Sequence, residues 1–246
     1  MQFNYAGVEY PVRNDLREAY CAAWNRLARP GTWWNGKERI AIAAETRQAF
    51  DCPLCRQRND PIKTYPVEGK HQHLGELPYA AVDAIHRVVT DEESITAKWA
   101  GSLVDAGLSA GHYVELLGIV VMVFSIDEFN RAIGVAQEPL PEPEPGEPSH
   151  YRPPNLEDST GFVPMIPADG NSGQDADLWP QNRTANVIRA MSLVPDAVRD
   201  LMLLSDAQYI THEEMMRMRA DAGRAINRMQ IELVAGRVSA LNECFY

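Results

Sequence analysis

Apolar residues recur along this chain with the three-to-four spacing of an amphipathic helix, except through one central stretch. Leu16, Ala19, Tyr20, Ala23 and Leu27 form one stripe of a helix predicted over 14–27. A second helix is predicted over 37–55, stepped by Ile40, Ala44, Arg47 and Phe50 or Asp51, with a break or restart at Pro53. Helices over 78–89 and 94–106 follow, the latter stopping at Gly107, a suitable C′ residue. Ser109 caps a long apolar helix over 110–133 that Gly134 ends. Past the centre, helices are predicted over 185–192 and, with proline at its start, 195–208. Thr211-His-Glu-Glu214 has the capping-box pattern, and helical character runs from there to Tyr246. Nothing alternates with the period of a strand, so the expected fold is all-α.

The central stretch breaks this pattern. Nine of the 17 prolines lie between Pro139 and Pro167. Proline fixes φ and has no amide donor, which predicts an extended, polyproline-like segment. Asp169-Gly-Asn-Ser-Gly173 continues it as loop. The chain therefore divides into a helical domain over 1–137, a proline-rich linker over 138–182 and a second helical domain over 183–246. The linker either wraps a neighbouring surface or is a solvated tether.

Composition narrows the function classes. Lys+Arg 23 against Asp+Glu 34 leaves a net charge of −11, which disfavours a phosphate-backbone binder. The longest apolar run, Leu116 to Ile126, is about half of the ~20 residues that span a bilayer. Met1-Gln-Phe-Asn-Tyr5 lacks the basic and apolar regions of a secretory leader. Four cysteines make no disulfide scaffold and suit a reducing compartment. The expectation is a cytoplasmic protein without nucleic-acid or membrane partners.

The sharpest chemistry is Cys52-Pro-Leu-Cys55. Residues i and i+3 share a helix face, and a CxxC pair often has one thiol of lowered pKa. A redox pair, a shared metal and two buried thiols are all open on this spacing. Glu45 stands two helical turns upstream and can reach the same face. With His71 and His73 the cysteines supply two sulfurs and two imidazoles, enough for tetrahedral zinc in a non-enzymatic module. Cys21, His86 and His112 read as core residues, His212 as solvated within its capping box, and Trp33-Trp34 as core packing. Glu115 reads equally as a pocket carboxylate or a structural one. No P-loop, GxGxxG or GxSxG occurs, so nucleotide and serine-hydrolase chemistry lack support.

Glu232 is followed, after eleven residues, by Cys244 within Glu232-Leu-Val-Ala-Gly-Arg-Val-Ser-Ala-Leu-Asn-Glu-Cys-Phe-Tyr246. This resembles the Glu-x11-Cys-x2-Cys-x3-His pattern of the alkylhydroperoxidase D-like family, in the carboxymuconolactone decarboxylase-like superfamily. The resemblance covers about 183–246 and includes Ser192-Leu-Val-Pro-Asp-Ala-Val-Arg199. The first half is similar more loosely, through Trp33 to Cys55 and the helix pair around Gly107 to Gly134. It departs from the pattern at Ile40 and Asn59, where the family has Glu and His, and Glu45 and His71 are the expected substitutes.

The resemblance implies two helical modules, the second truncated, and a thiol- or selenol-dependent peroxidase that cycles through a disulfide. In such a family the second cysteine attacks peroxide, the first resolves, and Glu and His relay protons. Carried over, Cys55 attacks, Cys52 resolves, and Glu45 and His71 relay in the first module. In the second, Glu232 relays and Cys244 resolves. The attacking residue there falls at position 247, where a selenocysteine read as a stop is the expectation, with another truncation or a true terminus as alternatives. The resemblance further implies a hydroperoxide substrate, a thioredoxin-like or lipoyl reductant, no cofactor, and a homo-oligomer. A lactone decarboxylase-type activity on the same fold would need neither Cys52 nor Cys55.

Overall fold

A computed structural model describes residues 3–60, 67–180, 184–211, 214–215 and 224–241. Nine α-helices are described: α1 (Asn14–Leu27), α2 (Gly36–Gln48), α3 (Pro53–Arg58), α4 (Tyr79–Thr90), α5 (Ala97–Asp105), α6 (Ala110–Ala132), α7 (Asn186–Arg189), α8 (Pro195–Gln208) and α9 (Arg228–Leu241). Among the described residues the only β pairing is an isolated antiparallel bridge between Glu157 and Met165. The all-α expectation holds.

Capping chemistry sets several boundaries. Asn35 starts α2 through a capping box with Glu38. Ser109 accepts from the His112 amide at the start of α6. Gly107, at φ +88°, ends α5 with its own amide on the Val104 carbonyl and the Leu108 amide on the Leu103 carbonyl, each at 2.9 Å. Thr211 and Glu214 exchange backbone and side-chain hydrogen bonds as their capping box predicts.

The long apolar helix α6 is the centre of the fold, with α2, α4 and α8 against it and α1 against α8. By length and composition α6 could cross a membrane. Here those helices cover it, and Leu116, Ile119, Val123 and Ile126 are buried. One apolar core takes Leu16, Tyr20, Trp24 and Ile85 from the first half and Leu193, Val198 and Leu204 from beyond the proline-rich segment. That segment runs along the corner between α1 and α2. Trp24 Nε1 donates to the Pro139 carbonyl at 2.9 Å, the Glu144 amide to Ala28 at 2.7 Å and the His150 amide to Thr32 at 2.8 Å.

Two helical expectations need correction. The helix predicted over 37–55 does restart at Pro53 as expected, but it is α2, a 3-10 turn at Ala49–Asp51 and then α3 to Arg58, because Cys52 is extended (φ −67°, ψ 120°) ahead of Pro53. Its buried face is not the Ile40–Ala44–Arg47 stripe but Arg39, Ile42, Ala43, Glu45 and Thr46. Three of those are polar and have partners inside, which a hydrophobic period does not register. The helix predicted from Thr211 to the end is also interrupted, since Asn227 opens α9 with a new capping box shared with Gln230.

A buried Cys, Cys, His, His cluster as candidate functional site

The break at Cys52 creates the site. Cys52 occupies the N-cap position of α3, Pro53 the first helical position, and Cys55 the third. An N-cap side chain folds back over the first turn, so both sulfurs face the same side. Both residues are buried. Opposite them stands α4, which carries Asp83 and, one turn later, His86. The chain between α3 and α4 brings in His71, whose amide donates to the Tyr79 hydroxyl at 3.2 Å.

The two imidazoles converge on the two sulfurs. His71 Nδ1 lies 3.6 Å from Cys52 Sγ and 3.5 Å from Cys55 Sγ. His86 Nδ1 lies 3.2 Å from Cys55 Sγ. One ligand atom from each of the four residues falls within 4.8 Å of every other, and all four residues are buried.

Each imidazole is fixed from behind by a carboxylate. Glu45, in the last turn of α2, places Oε1 2.9 Å from His86 Nε2 and accepts the Leu74 amide at 3.0 Å on Oε2. Asp83 Oδ1 lies 3.1 Å from His71 Nε2, while its Oδ2 accepts from Arg87 Nε at 2.9 Å and Trp99 Nε1 at 2.8 Å. An ionised carboxylate only accepts, so the Glu45 contact places the ring proton of His86 on Nε2, and the shorter Asp83 contact favours the same for His71, whose Nε2 also has Arg58 Nη1 at 3.4 Å. Both Nδ1 lone pairs then face sulfur.

Electrostatics follow from this burial. Desolvation pushes the Cys55 thiol up to about 11. Burial likewise lowers the His71 pKa, with the Asp83 hydrogen bond opposing it, which keeps the ring neutral. Burial raises Asp83, but hydrogen bonds from His71, Trp99 and Arg87 together outweigh it and hold the carboxyl well below the usual range. The arrangement can do two things. A base beside a thiol can take its proton, and four soft or borderline donors can surround a metal ion.

Of the residues singled out by sequence, the structure brings Cys52, Cys55, Glu45 and His71 together. His73, expected as the fourth zinc ligand, lies outside: it is exposed and its Nδ1 accepts the Gly75 amide at 3.1 Å. His86, read from sequence as a structural histidine, stands at that place in the cluster. Its only sequence signal was a position in the apolar stripe of α4 beside Val82 and Ile85, where a histidine ordinarily packs. Glu232 is exposed on α9 and accepts from the Tyr209 hydroxyl and Arg228 Nε, each at 2.5 Å. Cys244, like His212, lies outside the described residues. Glu115 fits both of its readings: it accepts the Thr32 amide at 3.0 Å and the Trp33 amide at 2.5 Å and pairs with Arg39, and it also lines a cavity of about 290 Å³ beside Arg26 and Asp200.

No family model matches this chain, and neither a curated protein nor a solved structure matches it.

Proposed function

We propose that this protein reduces small hydroperoxides through the Cys52–Cys55 dithiol. The observation that carries the reading is the continuous line from Cys55 Sγ to His86 Nδ1 at 3.2 Å and from His86 Nε2 to Glu45 Oε1 at 2.9 Å. A thiol pushed up to about 11 is almost fully protonated at neutral pH and needs a base at contact distance. His86 is that base, and Glu45 stabilises the imidazolium that forms, as an orienting carboxylate does for other nucleophile–histidine pairs.

The reaction balances within the site. His86 takes the Cys55 proton, and the thiolate attacks the nearer peroxide oxygen. The O–O bond breaks, the leaving oxygen takes the proton back from His86 as water or alcohol, and Cys55 becomes a sulfenic acid. Cys52 attacks that sulfur, forms the disulfide and releases water. In sum, two thiols and one hydroperoxide give a disulfide, an alcohol and water. A dithiol reductant of the thioredoxin or lipoyl kind then restores the pair. The burial of both sulfurs favours hydrogen peroxide and other small hydroperoxides over bulky ones. The resemblance to the alkylhydroperoxidase D-like family supports the same assignment, with His86 in the relay position that sequence alone gave to His71. A reducing cytoplasm suits free thiols.

The test is peroxide consumption coupled to a dithiol reductant. Cys55→Ser should abolish turnover, and Cys52→Ser should accumulate a sulfenic acid that a dimedone-type reagent traps. Full peroxide turnover in Cys55→Ser overturns the assignment, and a lactone reaction left intact in that variant would favour decarboxylase-type chemistry.

A further inference from the structure

The peroxide relay uses Cys52, Cys55, His86 and Glu45, and it leaves His71 without a task. Yet His71 is the more elaborately held of the two imidazoles. Its Nε2 is anchored by Asp83, which is itself held by Trp99 and Arg87, and its Nδ1 faces both sulfurs at 3.5 and 3.6 Å. A neutral imidazole buried against two thiols needs an acceptor for its one N–H, but not a carboxylate fixed in turn by two further donors.

A tetrahedral metal does need it. With metal–sulfur bonds of about 2.3 Å and metal–nitrogen bonds of about 2.0–2.1 Å, the sulfur–nitrogen edges of a tetrahedron come to about 3.5 Å. Three of the four sulfur–nitrogen distances in the cluster are 3.2, 3.5 and 3.6 Å, and the fourth, from Cys52 to His86, falls within the 4.8 Å that bounds the whole cluster. Both histidines present Nδ1 and give Nε2 to a carboxylate, the arrangement that orients metal-bound imidazole. Four protein donors leave no position for water, which describes a closed site. Two thiolates with Glu45 behind one ring would also bring buried negative charge, Asp83 being already paired with Arg87, and a dication offsets it.

We infer that Cys52, Cys55, His71 and His86 bind one tetrahedral divalent transition metal, zinc by donor type, whenever both thiols are reduced. Metal and peroxide chemistry then compete for the same sulfurs. The metal-bound dithiolate plus one hydrogen peroxide and two protons gives the disulfide, two waters and the free dication. This coupling rests on the proposed peroxidase reading, but the metal site does not.

The experiment is anaerobic titration of the fully reduced full-length protein with Co2+, followed by Zn2+ displacement. Expected is one Co2+ per chain, with the intense visible bands of tetrahedral coordination and a sulfur-to-cobalt band in the near ultraviolet. Zn2+ should bleach both. His71→Ala and His86→Ala should each weaken binding at least ~100-fold, whereas His73→Ala should leave it unchanged. Circular dichroism of each metal-free variant separates lost ligation from lost folding. No stoichiometric binding, an octahedral spectrum, or unchanged affinity in a folded His71→Ala overturns the site. Equal loss in His73→Ala overturns this ligand set. Hydrogen peroxide added to the zinc form should release one zinc and consume two thiols per chain, both restored by a dithiol reductant. A tetrahedral cobalt spectrum in a protein whose metal-free form leaves peroxide unreduced would overturn the peroxidase reading and leave the metal site standing. Peroxide turnover without any cobalt spectrum would do the reverse.

Discussion

Cys55 Sγ and His86 Nδ1 meet at 3.2 Å although 31 residues separate them in the chain. The contact exists because α3 and α4 pack together and each carries its residue on the facing side. Both proposals depend on it, so its removal is the most informative change.

His86→Ala should lower peroxide turnover by ~10^2- to 10^4-fold at neutral pH, the span typical of losing a positioned base. The residual rate should then rise about tenfold per pH unit as Cys55 ionises unaided, toward its value of about 11. Single-turnover thiol oxidation across pH 6–10 checks both; a flat residual profile contradicts the assignment of His86 as the base.

Asp83 joins α4, α5 and the His71 segment through three side chains. Asp83→Asn should cost about 2–4 kcal/mol of stability at pH 7, since a buried charged network loses one partner. Because the native carboxyl lies below its unfolded value, its contribution is complete above the ordinary aspartate pKa of about 4 and fades as pH falls below it. The gap between wild type and variant in urea melts should therefore shrink between pH 5 and pH 2.

Gly31 lies against the Arg39–Glu115 ion pair, and a Cβ there would overlap Glu115 Oε1 and press on the Arg39 guanidinium. Gly31→Ala should destabilise by at least ~3 kcal/mol, because the carboxylate also holds the Thr32 and Trp33 amides and cannot withdraw. Thermal unfolding measures this. Peroxide turnover per folded molecule should not change, since the pair lies outside the cysteine cluster.

Arg47 pairs with Asp127 through two bonds of 2.8 and 2.9 Å and donates to the Glu138 carbonyl at 2.8 Å. It thereby ties α2 and α6 to the start of the proline-rich segment. Arg47→Met should cost about 3 kcal/mol and raise protease cleavage within 138–145, read by limited proteolysis and mass spectrometry.

Local chemistry is written in consecutive residues, and the sequence by itself determined what local chemistry decides. The stripe of Leu16, Tyr20 and Leu27 marks α1 with its observed bounds, Ser109 and Gly134 bracket α6, and Cys52-Pro-Leu-Cys55 announces paired sulfurs at a helix break. Glu45 was picked out by its spacing of two helical turns from Cys52, but the helix breaks between them and Glu45 reaches the cluster through His86 instead. Tertiary structure alone decided which face of α2 is buried, because Arg39 and Glu45 go inside to meet Glu115 and His86 rather than to escape water. It also decided between His73 and His86. One ring follows His71 closely in sequence but remains exposed, while the other arrives on a separate helix with Glu45 behind it. A donor's place in a cluster depends on how helices pack, and packing distance is not encoded in spacing along the chain.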